Sequence, residues 1–303
     1  MNPVCRQAGC NGKFKQLLKC KMKKTILYLL DFVLLGNFFI ALCATAQALQ
    51  TCKLRYFSVA GSPVLIFIFC ATFLLYNIHK PITYLLKKEF ITNSRFINAK
   101  RFEAPLSILS FIAALVCLDS FFIFKPTGQH AVIACSVLSA AYVLPILKGK
   151  RLRDVPYFKI FLISIGWAYV CVVLPVATVG RGWGLPETLM FIEKAAFIFA
   201  LTIPFDIRDK VWDAQTGVKT IPLSIGTEKA KRWASYALIA SFSIVFILSF
   251  FSVYNLKQYA ALSISIVVSE YCVHQTKEDS SNLYFYGLID GAMLLQSLLV
   301  GLT

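Results

Sequence analysis

The chain has 303 residues, of which 58% are hydrophobic and 15% are charged, and its mean hydropathy is +0.68. This composition excludes an ordinary water-soluble domain, because several apolar runs reach the roughly 20 residues that a helix needs to cross a bilayer. A net charge of +16 is typical of a membrane protein whose basic loops lie beside anionic lipid, so we expect no nucleic-acid partner.

The chain divides into a short basic segment and a long apolar domain. Residues 1–24 are polar and basic and show no apolar helical face, so we predict a disordered N-terminal segment. Residues 25–303 form a single all-α integral membrane domain in this interpretation. Nine apolar runs predict nine transmembrane helices, at about 25–49, 57–78, 105–124, 130–147, 157–179, 188–205, 233–253, 258–274 and 283–302.

The basic residues of the loops test this arrangement. If the N-terminus is cytoplasmic, the cytoplasmic side receives 24 Lys and Arg residues and the opposite side receives five. Cytoplasmic loops of membrane proteins carry such an excess of positive charge. The pattern therefore favours nine spans in the cytoplasmic (inner) membrane, with the N-terminus inside and the C-terminus outside. Two of the predicted cytoplasmic loops, 79–104 and 206–232, are long, and long ordered loops are often functional.

Three aspartates stand at the start of the second long loop. Asp206, Asp209 and Asp213 have the spacing i, i+3, i+7, which on a helix places them within about 60° of one another. Like charges on one face repel, and a divalent cation or a ligand that carries one would relieve the repulsion. A solvated acidic helix end with basic neighbours is the alternative.

The residues after these aspartates punctuate the chain. Gly217 suits the left-handed turn at the end of a helix, and a new helix is expected near Thr227 or Glu228. A loop of this kind suits a diphosphate with bound Mg²⁺, since carboxylates hold the metal while Arg208 and Lys219 neutralise the remaining phosphate charge.

The segment D-I-R-D-x3-D-x3-G-x-K-T-I-P-x3-G, residues 206–226, resembles the second aspartate motif of the UbiA-type intramembrane prenyltransferase superfamily. The stretch AAYVLPILKGKRLRD, which contains Tyr142 and Lys148, resembles the segment that follows the fourth span in that superfamily. The resemblance covers about residues 25–303. It implies nine helices around a central cavity and transfer of a prenyl group from a polyprenyl diphosphate to an aromatic or other lipophilic acceptor.

The first aspartate motif of the superfamily, Asn-x3-Asp-x3-Asp, is only partly present. Asn77 matches its first position, but Pro81 and Leu85 stand where the two acids are expected. His79 and Lys80 offer positive charge nearby, although an interfacial histidine and a positive-inside lysine would look the same.

The resemblance therefore implies a set of roles. Asp209, Asp213 and Asn77 are the expected catalytic residues, and Asp206, Asp209 and Asp213 are the expected Mg²⁺ ligands. Two alternatives stay open: a degenerate relative that binds a lipid diphosphate without turnover, and a transporter that uses its intramembrane charges. The residues expected to contact the substrate are Asp206, Arg208, Lys219, Lys148, His79, Lys80 and Tyr142.

Overall fold

The computed structural model describes residues 28–59, 62–86 (the backbone alone from residue 79), 102–145 and 151–303. Across these residues the secondary structure is helical, and none of them forms a strand. Each of the nine predicted spans overlaps one long helix. The helices in chain order are α1 (Tyr28–Leu35 and Phe38–Leu54), α2 (Val64–Leu86), α3 (Glu103–Ile123), α4 (Pro126–Val143), α5 (Phe158–Thr178), α6 (Leu185–Arg208), the short α7 (Lys210–Gln215) and α8 (Ile221–Ile225), α9 (Thr227–Phe250), α10 (Leu256–His274) and α11 (Tyr284–Gly301).

Not every long helix has the length and composition of a membrane span. Within the described ranges, α3, α5, α6, α9 and α11 are long and apolar enough to cross a bilayer, and α1 makes a sixth if its two bent parts form one span. The protein is thus an all-α, multi-pass membrane protein. The count of nine spans stays a prediction.

The long helices pack in a ring. Neighbours along the chain lie side by side, α9 packs on α6, and α11 returns to pack on α1, which closes the ring. Helix α3 lies against α2 and turns its other face outward, with Phe111 66% and Phe122 70% exposed. Exposed aromatic side chains of this size suit contact with lipid chains, and the ring leaves a central space for a cavity.

A break in α1 is held by the helix beside it. The two parts of α1 meet at 56°, and Asn37 at the break has a left-handed backbone with φ 68°. The side-chain amide of Asn77 in α2 donates to the Gly36 carbonyl at 3.1 Å and to the Phe73 carbonyl at 2.9 Å. Its oxygen accepts from Asn37 Nδ2 at 2.9 Å. Asn77 therefore satisfies a backbone carbonyl that the break removes from the helical ladder.

Candidate functional site

A cavity of about 430 Å³ lies inside the ring, with walls from α1, α2, α4, α5, α6, α7 and α11. Leucine, isoleucine, valine, phenylalanine and methionine side chains form much of its lining. Apart from Asp290 on α11, the charged lining residues come from the end of α6, the start of α5, the turn before α5 and α7, so they gather at one end of the bundle. These charged residues are Arg151, Arg153, Asp154, Lys159, Asp206, Arg208, Asp209 and Asp213.

A lysine from α5 joins two of the aspartates. Lys159 Nζ lies 2.7 Å from Asp206 Oδ1 and 3.4 Å from Asp213 Oδ2. All three residues are buried, with Asp206 only 1% exposed. A buried charge is costly unless it is paired, so this cation stabilises two carboxylates that would otherwise repel each other.

The three aspartates do not lie on one unbroken helix, in contrast to the geometry assumed from their spacing. Helix α6 ends at Arg208, Asp209 occupies the junction, and α7 begins at Lys210. The backbone nevertheless keeps helical bonds across the junction, since Asp209 N donates to the Phe205 carbonyl and Asp213 N to the Asp209 carbonyl. The aspartates therefore still face one cavity.

Gly217 lies at the helix end predicted from sequence, and Gly226 lies directly before the predicted start of the next helix. Gly217 has φ 71° after the end of α7, and Gly226 has φ 85° immediately before α9 begins at Thr227. A side chain at either position would be strained in this left-handed region. The two glycines thus let the chain turn back after the aspartates without closing the cavity.

Arg208 is the second cation that contacts one of the three aspartates. Its Nε and Nη2 lie 2.9 and 3.0 Å from the two carboxylate oxygens of Asp209. The guanidinium also lies over the rings of Phe205, Phe285 and Tyr286, at 5.0, 5.1 and 5.4 Å from their centroids. Its Nη1 is buried with no hydrogen-bond partner in the described part of the chain. A planar cation fixed in this way holds a spare donor for an anion.

The turn before α5 supplies two more arginines. Arg151 is 2% exposed, and its Nε and Nη2 lie 2.9 and 3.0 Å from the Asp154 carboxylate oxygens. Arg153 lies over the Tyr142 ring at 4.7 Å from the centroid. Because all four residues line the cavity, this turn adds positive charge opposite the aspartates.

The Asp213 carboxyl is electrostatically strained. Burial raises its pKa above the usual aspartate range, Asp206 and Asp209 raise it further, and Lys159 partly offsets the increase. A raised carboxyl pKa means that the anionic form is disfavoured at this position, mainly because burial removes it from water. Additional cation at this point would therefore stabilise the site.

The structure brings together some of the sequence-predicted residues and separates others. Asp206, Arg208, Asp209, Asp213 and Tyr142 line the cavity. Lys219 is exposed and does not line it; its carbonyl accepts from Tyr157 N at 2.9 Å. Asn77 is also absent from the lining and holds the break in α1. The side chains of His79 and Lys80 and the whole of Lys148 lie outside the described residues.

Lys159, Arg151, Arg153 and Asp154 were not among the site residues predicted from sequence. Each of these four residues nevertheless has a recognisable feature in the sequence. The three residues of the turn belong to the KGKRLRD cluster, and Lys159 is a cation just inside an apolar run. Arg151 and Arg153 count as positive-inside charges of a loop and Lys159 lies beside a predicted span, so the sequence alone does not show that these side chains line the cavity.

The carboxylate oxygens of the three aspartates fit Mg²⁺ only if a bound substrate supplies further oxygen ligands. No group of three His, Cys, Asp or Glu side chains in the described residues converges as a metal site. Mg²⁺, however, commonly takes one or two carboxylates plus substrate phosphate oxygens and water. Asp206 and Asp213, held close by their shared lysine, supply such a pair, and Asp209 is adjacent.

Comparison with known protein families and structures identifies similar proteins. The family model of the UbiA prenyltransferase family matches residues 99–296. No curated protein sequence matches the chain.

Solved structures share the fold at low identity. A UbiA homologue from Archaeoglobus fulgidus bound to GPP and Mg²⁺ has a TM-score of 0.59 and 12% identity, over 89% of this chain and 99% of that one. An apo UbiA homologue from Aeropyrum pernix K1 has a TM-score of 0.61 and 14% identity, over 88% and 98%. A digeranylgeranylglyceryl phosphate synthase has a TM-score of 0.54 and 14% identity, over 90% and 98%. Since the family model covers well over half of the sequence, the chain belongs to the UbiA prenyltransferase family.

Proposed function

We propose that the protein transfers a prenyl group from a polyprenyl diphosphate to a lipophilic acceptor within the membrane. The observation that carries this proposal is the division of the cavity, whose carboxylates and cations gather at one end while its remaining walls are largely apolar. A diphosphate matches the charged end and an isoprenoid chain matches the apolar walls. A structural neighbour bound to GPP and Mg²⁺ supports the same class of donor.

In this proposal each charged group has a task at the diphosphate. Asp206, Asp209 and Asp213 would hold Mg²⁺. Arg208 and Lys159 would bind phosphate oxygens, and the two arginines of the turn before α5 would complete the positive side. When bound, Mg²⁺ neutralises the charge that develops on the departing diphosphate.

The remaining residues predicted from sequence stay part of the proposal at the edge of the site. Lys148, His79 and Lys80 would add positive charge that attracts the diphosphate, and Lys219 would do so from the surface. Tyr142, held under Arg153, would position that arginine. Asn77 would act on the site through the break in α1.

The apolar walls would protect the reaction. Loss of diphosphate from an allylic donor leaves a carbocation, which water would trap. Side chains such as Leu162, Ile198 and Leu201 line the cavity, and a lining of this kind keeps water away from the cation. The charge distribution of the loops supports a site that opens toward the cytoplasm.

The direct test is release of diphosphate by purified protein in lipid nanodiscs, supplied with prenyl diphosphates of several chain lengths, Mg²⁺ and a panel of lipophilic acceptors. We expect Asp209→Ala and Asp213→Ala to lower kcat/KM at least about a hundredfold, since a carboxylate that holds a catalytic metal has no substitute. Asp279→Ala, at an exposed acid, is the matched control and should change little. Equal turnover by all three variants would refute the proposal.

A second candidate is a protein that binds a lipid diphosphate without turnover. It is favoured by Pro81 and Leu85 in the first motif and by Lys159, which already neutralises two of the aspartates. In that case geranyl diphosphate raises the melting temperature while no diphosphate is released, whereas the transferase shows both effects.

A further inference from the structure

Helix α11 places one further carboxyl in the cavity. Asp290 lines the cavity from α11 and is 7% exposed. Among the described residues, its side chain makes no hydrogen bond or ion pair; only its backbone carbonyl is used, by the Cys43 thiol at 3.4 Å. The residue follows directly after a π-helical stretch, Tyr284–Ile289. Single π turns inside helices often mark functional positions because they turn one side chain out of the regular register.

The other buried acids of the described helices are all satisfied. Glu187 pairs with Arg55 at 2.7 Å, and Glu193 accepts from Ser241 at 2.9 Å. Asp206 pairs with Lys159 at 2.7 Å. An unpaired carboxyl in an apolar environment costs several kcal/mol, roughly, unless a ligand satisfies it. Asp290 therefore differs from the structural acids and is placed as a group that can bind a ligand.

Its position relative to the charged end is informative. Tyr286, Asp290 and Met293 all line the cavity from α11, at a spacing that places them on one face of the helix. Tyr286 contacts Arg208. Asp290 lies four residues further along, about 6 Å by helical rise. The carboxyl is thus beyond the diphosphate end, where the reacting end of a prenyl chain would lie.

We propose that Asp290 binds the hydroxyl group of the acceptor and takes the proton that the acceptor loses. This inference rests on the proposed function. The bond between prenyl C1 and the diphosphate oxygen breaks, and its electron pair leaves with the diphosphate. A nucleophilic atom of the acceptor forms the new bond to C1, and one proton passes from the acceptor to the Asp290 carboxylate. The acceptor is accordingly a lipophilic phenol or alcohol.

Two aromatic side chains of the lining support this class of acceptor. Tyr76 and Trp167 line the cavity, and Trp167 Nε1 donates to the Tyr76 hydroxyl at 3.2 Å. These rings provide flat apolar surface beside the carboxyl, which suits an aromatic or alkyl body with one polar end. The remaining intramembrane lysine among the described residues, Lys194, is bonded to Gln296 at 2.6 Å and does not line the cavity, so it does not compete for Asp290.

The test compares probes with and without a hydroxyl. Binding of 4-nonylphenol and nonylbenzene, and of dodecanol and dodecane, is measured by thermal shift and by calorimetry in nanodiscs. We expect the native protein to prefer each hydroxylated probe by about tenfold to a hundredfold, as a hydrogen bond to a charged group provides. Asp290→Leu should abolish the preference. The proposal is overturned if the native protein shows no preference, or if Asp290→Leu retains it.

Proton transfer is tested with Asp290→Asn, which can still accept a hydrogen bond but takes up no proton. Stabilisation by geranyl diphosphate and Mg²⁺ should be unchanged, while prenyl transfer to the phenol should fall at least a hundredfold. Asp119→Asn, the same change at an exposed acid of α3, should leave both unchanged. Full transfer by Asp290→Asn overturns the role of Asp290 alone. If geranyl diphosphate and Mg²⁺ fail to stabilise the native protein, that result counts against the proposed function instead. The preference for hydroxylated probes would still decide whether Asp290 binds the hydroxyl group.

Discussion

Lys159 illustrates how one side chain determines the electrostatics of this site. It contacts Asp206 and Asp213, which are 47 and 54 residues away in sequence. Without a cation, two buried carboxylates and the adjacent Asp209 would repel one another. The lysine therefore offsets the repulsion between Asp206 and Asp213, while burial and the neighbouring aspartates still raise the pKa of Asp213 above its usual range.

Replacement of Lys159 should expose this dependence. We expect Lys159→Met to lower the free energy of unfolding by about 3–5 kcal/mol, because it leaves buried carboxylates uncompensated. Mg²⁺ should then raise the melting temperature of the variant more than that of the native protein, since it restores positive charge. Thermal unfolding in nanodiscs with and without Mg²⁺ measures both effects. The matched control is Lys229→Met at an exposed lysine; equal behaviour of the two variants would contradict this account.

At the scale of elements, helix ends and breaks position the chemistry. Helix α6 ends at Arg208, so Asp209 and α7 fold over the cavity rather than continuing away from it. The break in α1 brings Asn37 into the cavity wall, and Asn77 in α2 holds that break. Asn77 thus contacts the break in α1 from a position outside the cavity lining.

This position of Asn77 predicts a specific phenotype. Asn77→Ala removes two hydrogen bonds at the α1 break and one to the Phe73 carbonyl within α2, so we expect the unfolding free energy to fall by about 1–3 kcal/mol. If Asn77 acts through α1 alone, the KM for prenyl diphosphate should change less than threefold in the folded protein. A rise in KM of tenfold or more would instead support direct contact with the diphosphate. Ser107→Ala, which removes one exposed bond to the Glu103 carbonyl, is the control for stability.

At the scale of the whole molecule, the ring of helices separates two environments. The outward faces carry large exposed hydrophobic side chains, as α3 shows with Phe111 and Phe122. The inside holds charged groups that lipid would not tolerate, each satisfied by a partner or facing the cavity. In the proposed function, the closed ring would allow a charged diphosphate and an apolar chain to meet within the membrane.

The orientation of this ring is open to direct measurement. The loop charges predict that the C-terminus lies outside and that the loop before α9 lies in the cytoplasm. We expect a cysteine introduced at Thr303 to react with a membrane-impermeant maleimide in intact cells, and a cysteine at Lys229 to react only after permeabilisation. Peptide mass analysis distinguishes these sites from the native cysteines. The reverse pattern would invert the proposed topology.

Much of the fold could be predicted from sequence because membrane helices are encoded locally. All nine apolar runs overlap long helices, and the predicted left-handed turn at Gly217 has φ 71°. The acidic half of the site was also predictable, since Asp206, Asp209 and Asp213 are close in the chain. The basic half was not, because Lys159, Arg151 and Arg153 look like ordinary loop and interface cations until the helices are packed.

An all-α membrane protein with a carboxylate cluster beside a basic loop follows from the sequence, because hydropathy and short spacings are local properties of the chain. The packed helices add which cation pairs with which acid, that Asn77 holds a helix break, and that the Asp290 side chain lines the cavity with no hydrogen bond or ion pair to the described residues. These facts depend on distances between helices far apart in sequence. Such distances are set by the packing of the whole ring, which no single segment specifies.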